Sequence, residues 1–433
     1  MQNILQNSLQ NRANICRALL TNFLTSAVLA GCASQGKIQP VAQKPAEQNI
    51  AGKNYPAPAE TLKTKISNGT AHGNMLSQWV DRTPQITSAL PPAGEDCATI
   101  YDPVQHRIIL VGGKNDEDKN LNEVWTLDLA KNFWQKTVIE GEAPPTSEDH
   151  TVIFDPVSYR TILYGGEDGQ TTNKIWALDL KTLHWRNLTD STAPRRETHT
   201  AVFDSHGKRM LTFGGRDNQG QFKDYVNIHE VWAFDLDPSS PTFEKWQDLT
   251  IEDNHPFGRA DHVAVYDAAK NRMIIYGGWY KGDDGKEYLE DTWAYNFAEP
   301  PGKWKKIKTK RSHPPQRRHA TGIYDSARNW FVIFGGFGDA GYLNDVWAFD
   351  LTKDAWINIT PGPQPRIDHQ AVYDSQNHRM VLYGGDAKLK GKFHDVWELQ
   401  ILPDIPLELL LKEAGAMTPP AAIPEPQNEE KPF

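Results

Sequence analysis

Cysteine is scarce: the 433 residues hold three, at positions 16, 32 and 97. The body of the chain therefore has a single thiol, Cys97, no intrachain disulfide can staple it, and an unpaired thiol of this kind is expected to be buried. Positive charge is also short. Against 55 Asp and Glu there are 46 Lys and Arg, a net charge of −9, whereas a nucleic-acid partner calls for a basic face. No stretch of the body is apolar for long enough to cross a bilayer. Neither a Gly-Lys-Ser/Thr phosphate loop nor a Gly-x-Ser-x-Gly elbow occurs. Asp116-x-Asp118-x-Asn120 begins like a calcium loop, but Leu121 stands where its glycine belongs and Leu127 where its glutamate belongs, so that reading fails.

What the chain does have is a unit that returns six times. A double glycine recurs at Gly112-Gly113, Gly165-Gly166, Gly214-Gly215, Gly277-Gly278, Gly335-Gly336 and Gly384-Gly385, at intervals of 49 to 63 residues. A tryptophan follows each pair, at Trp125, Trp176, Trp232, Trp293, Trp347 and Trp397. The last copy shows four expected strands most plainly. His369 to Tyr373 is β-branched and aromatic, and Asp374 opens a polar turn. Arg379 to Tyr383 is nearly all apolar, as suits a strand covered on both faces. The third strand carries the tryptophan. A fourth begins at Trp134, Trp185, Trp246, Trp304 and Trp356, and has no counterpart after Leu399. Trp79-Val80-Asp81-Arg82-Thr83, ahead of the first copy, has the pattern of that missing strand. Twelve of the 14 tryptophans then hold repeated positions, leaving Trp279 and Trp330.

The double glycine, the spaced Tyr/Phe-Asp and tryptophan, and the Arg-x-x-His before the first strand resemble kelch repeats, from about Gln78 to Leu399. That resemblance implies an all-β fold, a six-bladed kelch-type β-propeller whose ring is closed by an N-terminal strand around Trp79 completing the last blade. A period of this length suits propeller blades. The resemblance is nearly silent on function, since kelch propellers serve as oxidases, epimerases and adaptors alike. The copper oxidases among them need a cross-linked Tyr–Cys pair, and nothing marks a partner for Cys97, so no cofactor is expected.

The ends differ in kind. Arg12 and Arg17 precede a modestly apolar segment, Ala18 to Leu29, laid out as an export signal. Leu29-Ala30-Gly31-Cys32 looks like the lipobox of bacterial lipoproteins, which implies a signal peptide over 1–31 and lipid attachment at Cys32. In that family Ala33 fits transfer to the outer membrane of the bacterial cell envelope. Residues 32–75 read as the lipidated cysteine and a disordered tether, 76–402 as the propeller, and 403–433 as a Pro/Glu-rich tail. Within the tail, Leu407, Leu410 and Leu411 suit a short cap of two helical turns.

Loops entering the first strand and loops between the second and third strands lie on one side, where function is expected. At that entrance one position reads Cys97, His150, His199, His262, His319 and His369, preceded by Asp96, Asp149, Thr198, Asp261, Arg318 and Asp368. Arg196, Arg259 and Arg366 stand three residues before their histidines, and Arg317 lies close by in a fourth copy. The leading reading makes each histidine a fastener between blades. No metal site is expected there, because a six-fold ring round a channel holds its ligands too far apart. A third reading has Arg196, Arg259, Arg317 and Arg366, with Asp149, Asp261 and Asp368, binding a ligand whose anionic group faces the arginine side. Trp279 and Tyr280, in one of the longest loops, are read as exposed aromatics that suit either a carbohydrate stack or a protein hot spot. The expected function is a protein-interaction or scaffold module working through the loop-rich face on an envelope protein partner. The alternative is a periplasmic enzyme or lectin acting on an acidic glycan, by resemblance to kelch epimerases. No catalytic residue stands out.

Overall fold

The computed structural model describes residues 71–73, 77–92, 94–218, 226–282, 285–299, 302–309, 313–387 and 391–401. The expected export signal, Cys32 and the C-terminal tail lie outside the described residues. Among the described residues six antiparallel sheets form the blades, five of four strands and one of five. In the first, Ala98–Asp102, Arg107–Val111, Val124–Asp128 and Phe133–Lys136 pair in sequence order. The innermost strand of each blade neighbours that of the next, and Gln370–Asp374 of the sixth neighbours Ala98–Asp102 of the first, so the ring is closed. In the sixth blade the outer strand is Ser77–Asp81, which pairs with Val396–Ile401.

One physical device ends every first strand. Asp102, Asp155, Asp204, Asp267, Asp325 and Asp374 are all buried. In the first blade one oxygen of Asp102 accepts the backbone N–H groups of Val104 and Gln105, and the other accepts Arg107 Nε at 3.0 Å. The residue before that arginine turns through the left-handed region in the five blades that have it, as at His106 with φ 51°, and Asn329 does so ahead of Trp330 in the fifth blade. The same pair recurs as Asp155–Arg160, Asp204–Arg209, Asp267–Arg272 and Asp374–Arg379. Blade five keeps the charge but moves it, with Arg328 taking Asp325 and Trp330 filling the vacated position.

The repeated tryptophans explain the core. Each fourth-strand indole packs on the residue that ends the second strand of the preceding blade. Trp246 lies 4.6 Å from Tyr164, Trp304 4.9 Å from Phe213, Trp356 4.8 Å from Tyr276 and Trp134 5.1 Å from Tyr383 between ring centroids. Trp79, from the N-terminal strand, takes the same seat on Phe334 at 5.2 Å. Each such ring buries ~150–250 Å², which is why the blades need no covalent staple.

One boundary moves. The tether was expected to run to position 75, but Ala71–Gly73 adds a fifth strand to the last blade, pairing with Gln78–Val80. An outer strand leaves backbone donors and acceptors unpaired along its edge, and any extended segment can satisfy them regardless of its composition.

The double glycines tie blade to blade. Gly214 and Gly215 have φ of 67° and 89°. A Cβ on Gly215 would lie 2.5 Å from the Glu197 carbonyl oxygen, so no other residue fits without displacing backbone. The Gly215 N–H donates to the Arg259 carbonyl of the next blade at 2.8 Å. Gly166 does the same to Arg196, Gly278 to Arg317, Gly336 to Arg366 and Gly385 to Gly94.

Candidate functional site at the channel mouth

The four expected arginines do not face the channel. Arg196, Arg259 and Arg366 are 0% exposed and Arg317 1%. Each guanidinium donates through Nη1 to the carbonyl of the first glycine of its own blade, Gly214, Gly277, Gly335 and Gly384 respectively. Each also pairs with the acid that opens the third strand: Glu230, Asp291, Asp345 and Asp395. That acid in turn accepts the indole N–H of Trp232, Trp293, Trp347 or Trp397 two residues on. Arginine, carboxylate and tryptophan thus form one clamp per blade in blades three to six. The expectation of an anion held by these arginines is corrected by that geometry, because their charge is spent inside the blade.

The histidines are fasteners, with one exception. His150 Nε2 donates to the Val111 carbonyl at 3.2 Å, and His369 Nε2 to the Phe334 carbonyl at 3.2 Å. His199 and His262 meet Thr151 and Thr200 at 2.9 and 2.8 Å. Each bond reaches the preceding blade. Burial lowers His150 to about 4 and His262 and His369 to about 3, so these rings are neutral at pH 7.

His319 is the exception, and it corrects the sequence register by one residue. It shares the left-handed backbone (φ 52°) of Asp96, Asp149, Thr198, Asp261 and Asp368, which have φ of 50° to 55°. Ala320, not His319, lies against the second glycine of its blade, where His150, His199, His262 and His369 lie in theirs. Arg317 is then three residues before Ala320 and fully equivalent to the other clamp arginines.

The mouth of the channel is therefore ringed by Asp96, Asp149, Thr198, Asp261, His319 and Asp368, around a cavity of about 260 Å³. Successive ring residues are joined through their backbones: Thr198 N–H to Asp149 at 3.0 Å, Asp261 to Thr198 at 3.0 Å and His319 to Asp261 at 3.1 Å. Three of the expected residues, Asp149, Asp261 and Asp368, do come together here. Sequence reasoning named His319, Thr198 and Arg318 at this entrance without taking them as ligand candidates, and missed the cations Lys114, Arg216 and Lys392 beside the ring.

Charge is unevenly distributed round the ring. His319 bridges Asp261 (3.2 Å) and Asp368 (2.6 Å). Burial favours its neutral form, but these two carboxylates hold its pKa above the usual histidine value. Asp261 accepts the Trp279 indole N–H. Burial alone would raise Asp261, yet His319, Arg216 and Arg318 keep it below the ordinary carboxylate range. Across the ring the outcome reverses. Burial and the charge of Asp368, Asp149 and Glu95 push Asp96 well up, against Lys114. Burial raises Asp149 to about 7 despite Arg216, helped by Asp261, Glu148 and Asp368. Burial and Asp368 likewise raise Glu95 to about 7, against Lys392. Thr198 Oγ1 is buried beside this sector with no hydrogen-bond partner among the described residues.

Trp279 and Tyr280 part company. Trp279 is 1% exposed, beneath the Arg216 guanidinium at 6.0 Å, so the expectation of an exposed indole is corrected. Tyr280 is half-buried and stacks at 4.8 Å on Phe257, which is 61% exposed. Cys97 is buried, and burial pushes its thiol far up, as suits an inert core residue.

The sequence matches the KLHDC2/KLHL20/DRC7 Kelch-repeats domain over residues 74–240, 156–361 and 220–401. It is similar to Kelch domain-containing protein 2 of Bos taurus, at 24% identity over 65% of this chain and 73% of that protein. Similarity to Adagio-like protein 3 of Oryza sativa subsp. japonica is 27% identity over 61% of this chain and 41% of that protein. The chain spans less than half the length of several curated relatives it matches. Among solved structures, that of YjhT superposes with a TM-score of 0.55 at 13% identity, over 71% of this chain and 95% of that one, a likeness of fold.

Proposed function

This chain belongs to the kelch-repeat family, and we propose that its propeller is a protein-interaction module that receives a cationic side chain of its partner at the acid-rich sector of the channel mouth. The observation that carries this is the crowding of Asp96 and Asp149 in the cavity wall with Glu95 beside them. All three have raised pKa values because they are desolvated and repel neighbouring carboxylates. A lysine or arginine head entering there replaces bound protons and relieves that repulsion. The cavity, about 260 Å³, is below the ~300–1,000 Å³ of pockets that enclose whole small-molecule ligands. It suits one long side chain better than a sugar. Aromatic surface at Phe257 and Tyr280 and the surrounding loops supply the rest of a protein contact. An acidic-glycan enzyme or lectin would need Arg259 and Arg366 in an open pocket, and both are buried.

The same reading places the module on a bacterial envelope, tethered by lipid on Cys32; its support is the lipobox-like Leu29-Ala30-Gly31-Cys32. Metabolic labelling with a palmitate analogue should mark the wild type and spare Cys32→Ser. For the mouth, titration with a hexalysine peptide should show binding that strengthens as pH rises through 7, with protons released. Asp149→Asn and Asp368→Asn should weaken it ~10-fold or more. Equal affinity for hexaglutamate, or no loss in either variant, overturns the proposal.

A further inference from the structure

Away from the channel, on the rim where blade three hands over to blade four, a different donor set converges. We propose that His229, Glu252 and His255 form a binding site for a zinc-class transition-metal ion. His229 ends the connection between the second and third strands of blade three. Glu252 and His255 lie in the segment leading from its outer strand to blade four. One ligand atom from each lies within 4.8 Å of the others. The two imidazoles are stacked at 4.3 Å with planes 19° apart, and His229 Nε2 lies 3.3 Å from a Glu252 oxygen. His255 Nδ1 donates to the Pro256 carbonyl at 2.8 Å. That bond fixes the tautomer and leaves Nε2 with its lone pair available, the second-shell arrangement that orients a metal-binding histidine.

The two segments are held against each other before any ion arrives. Ile228, next to His229, accepts the Arg259 N–H at 3.2 Å and donates to Gly215 at 2.9 Å. Val231 N–H donates to Thr250 Oγ1 at 3.2 Å. Asn254 turns through φ 50°, and its amide donates to the Trp304 carbonyl at 3.3 Å. The scaffold for both histidines is thus fixed by the blade, while Glu252, whose side chain is 78% exposed, is free to close on an ion.

Two imidazole nitrogens and one carboxylate oxygen are the donor types that select zinc, and by the same softness nickel or copper, over calcium or magnesium. Ligand bonds of ~2.0–2.2 Å require the three atoms to draw together by about 1 Å, within the reach of side-chain rotation alone. Three protein ligands leave a fourth position for water or for a donor from a docked molecule. None of the three residues lines the channel mouth, so this site stands or falls independently of the interaction proposed there.

The test uses the full chain stripped with a chelator. Zinc(II) is titrated in competition with a chromophoric chelator, and cobalt(II) is added separately for its visible spectrum. One tightly held zinc per chain is expected, with cobalt bands of low coordination number. His229→Ala and His255→Ala should each weaken zinc binding on the order of 10-fold to 100-fold, and Glu252→Gln about 10-fold. His184→Ala, a control at another exposed histidine, should bind as the wild type does. The apo variants should keep the wild-type melting temperature, which separates lost ligation from lost folding. A wild-type chain that leaves the chelator's zinc untouched overturns the proposal, as does wild-type affinity in both histidine variants.

Discussion

Asp149 and Asp261 hold the same place in their blades, with φ of 55° and 54°, yet Asp149 is raised to about 7 and Asp261 is held below the ordinary carboxylate range. Backbone geometry and burial do not separate them. Their neighbours do: His319, Arg318 and the Trp279 indole join Arg216 at Asp261, while at Asp149 Arg216 stands alone against Asp261, Glu148 and Asp368. One half of the mouth is neutralised by its ion pairs. The other, spanning blades one and two and the seam with blade six, holds more carboxylates than Lys114 and Lys392 offset. The same split runs deeper, since the arginine clamp occupies blades three to six, whereas Gly94 and Ser147 hold its position in blades one and two. A scaffold built from identical units can therefore be sturdy in one sector and receptive in another by exchanging charges at fixed positions.

The contrast is sharpest in the clamp. Arg317→Ala should leave Asp345 as a buried, unpaired carboxylate and cost about 3–5 kcal/mol, read by chemical denaturation. Ser147→Ala, at the matching position of blade two, loses only its hydroxyl contact with His150 at 3.3 Å and should cost about 1 kcal/mol. Equal losses would erase the distinction between sectors.

Next in size is a pH effect of opposite sign in the two layers. The buried histidines are depressed in the folded chain, so their contribution to stability is complete above the unfolded value of about 6.5 and lost as pH falls below it. Asp149, raised to about 7, behaves the other way. Its contribution is complete below the unfolded carboxylate value of about 4 and is lost as pH rises through 7. Asp149→Asn should therefore gain on the wild type by about 1–2 kcal/mol between pH 4 and 8, with the gain growing as pH rises. Denaturation midpoints across that range check both size and direction.

His319→Gln tests the contrast directly, because it removes the cation between Asp261 and Asp368. Asp261 should then titrate upward, toward the behaviour of Asp149, in a carboxyl-carbon NMR titration. An unchanged Asp261 would assign its low value to the guanidiniums alone.

The propeller was legible because its contacts repeat. A tryptophan that must sit on the end of the preceding blade's second strand recurs wherever that seat recurs, and so does a glycine pair that must pass under a neighbour's carbonyl. The clamp was half legible: Arg196, Arg259, Arg317 and Arg366 occur in the same blades as the acids Glu230, Asp291, Asp345 and Asp395 two residues before a tryptophan. Their pairing could have been read from that coincidence, but sequence separation hid a contact made across the blade. His319 was misread because a histidine beside a histidine-bearing position looks like a member of the series. Counting three residues on from Arg317 reaches Ala320 instead. The metal-type cluster had no periodicity to reveal it, since its donors lie on two segments joined only by folding.

The smallest expected effect concerns two adjacent residues that the sequence presents as a pair. Trp279 points inward, donating to Asp261 and filling space under Arg216, so any truncation there disturbs the folded ring before it touches a partner. Tyr280 points outward onto exposed Phe257. Tyr280→Ala forfeits a stack worth about 0.5–1 kcal/mol and should leave the midpoint of unfolding almost in place. If the loop face is where partners dock, a photo-crosslinking probe at position 280 should still capture a discrete protein in cells, and the same probe at 279 should capture nothing without unfolding the blade. A probe at 280 that finds no protein, in cells that make the folded chain, would show that the aromatic rim serves the fold alone and would confine recognition to the acids of the channel.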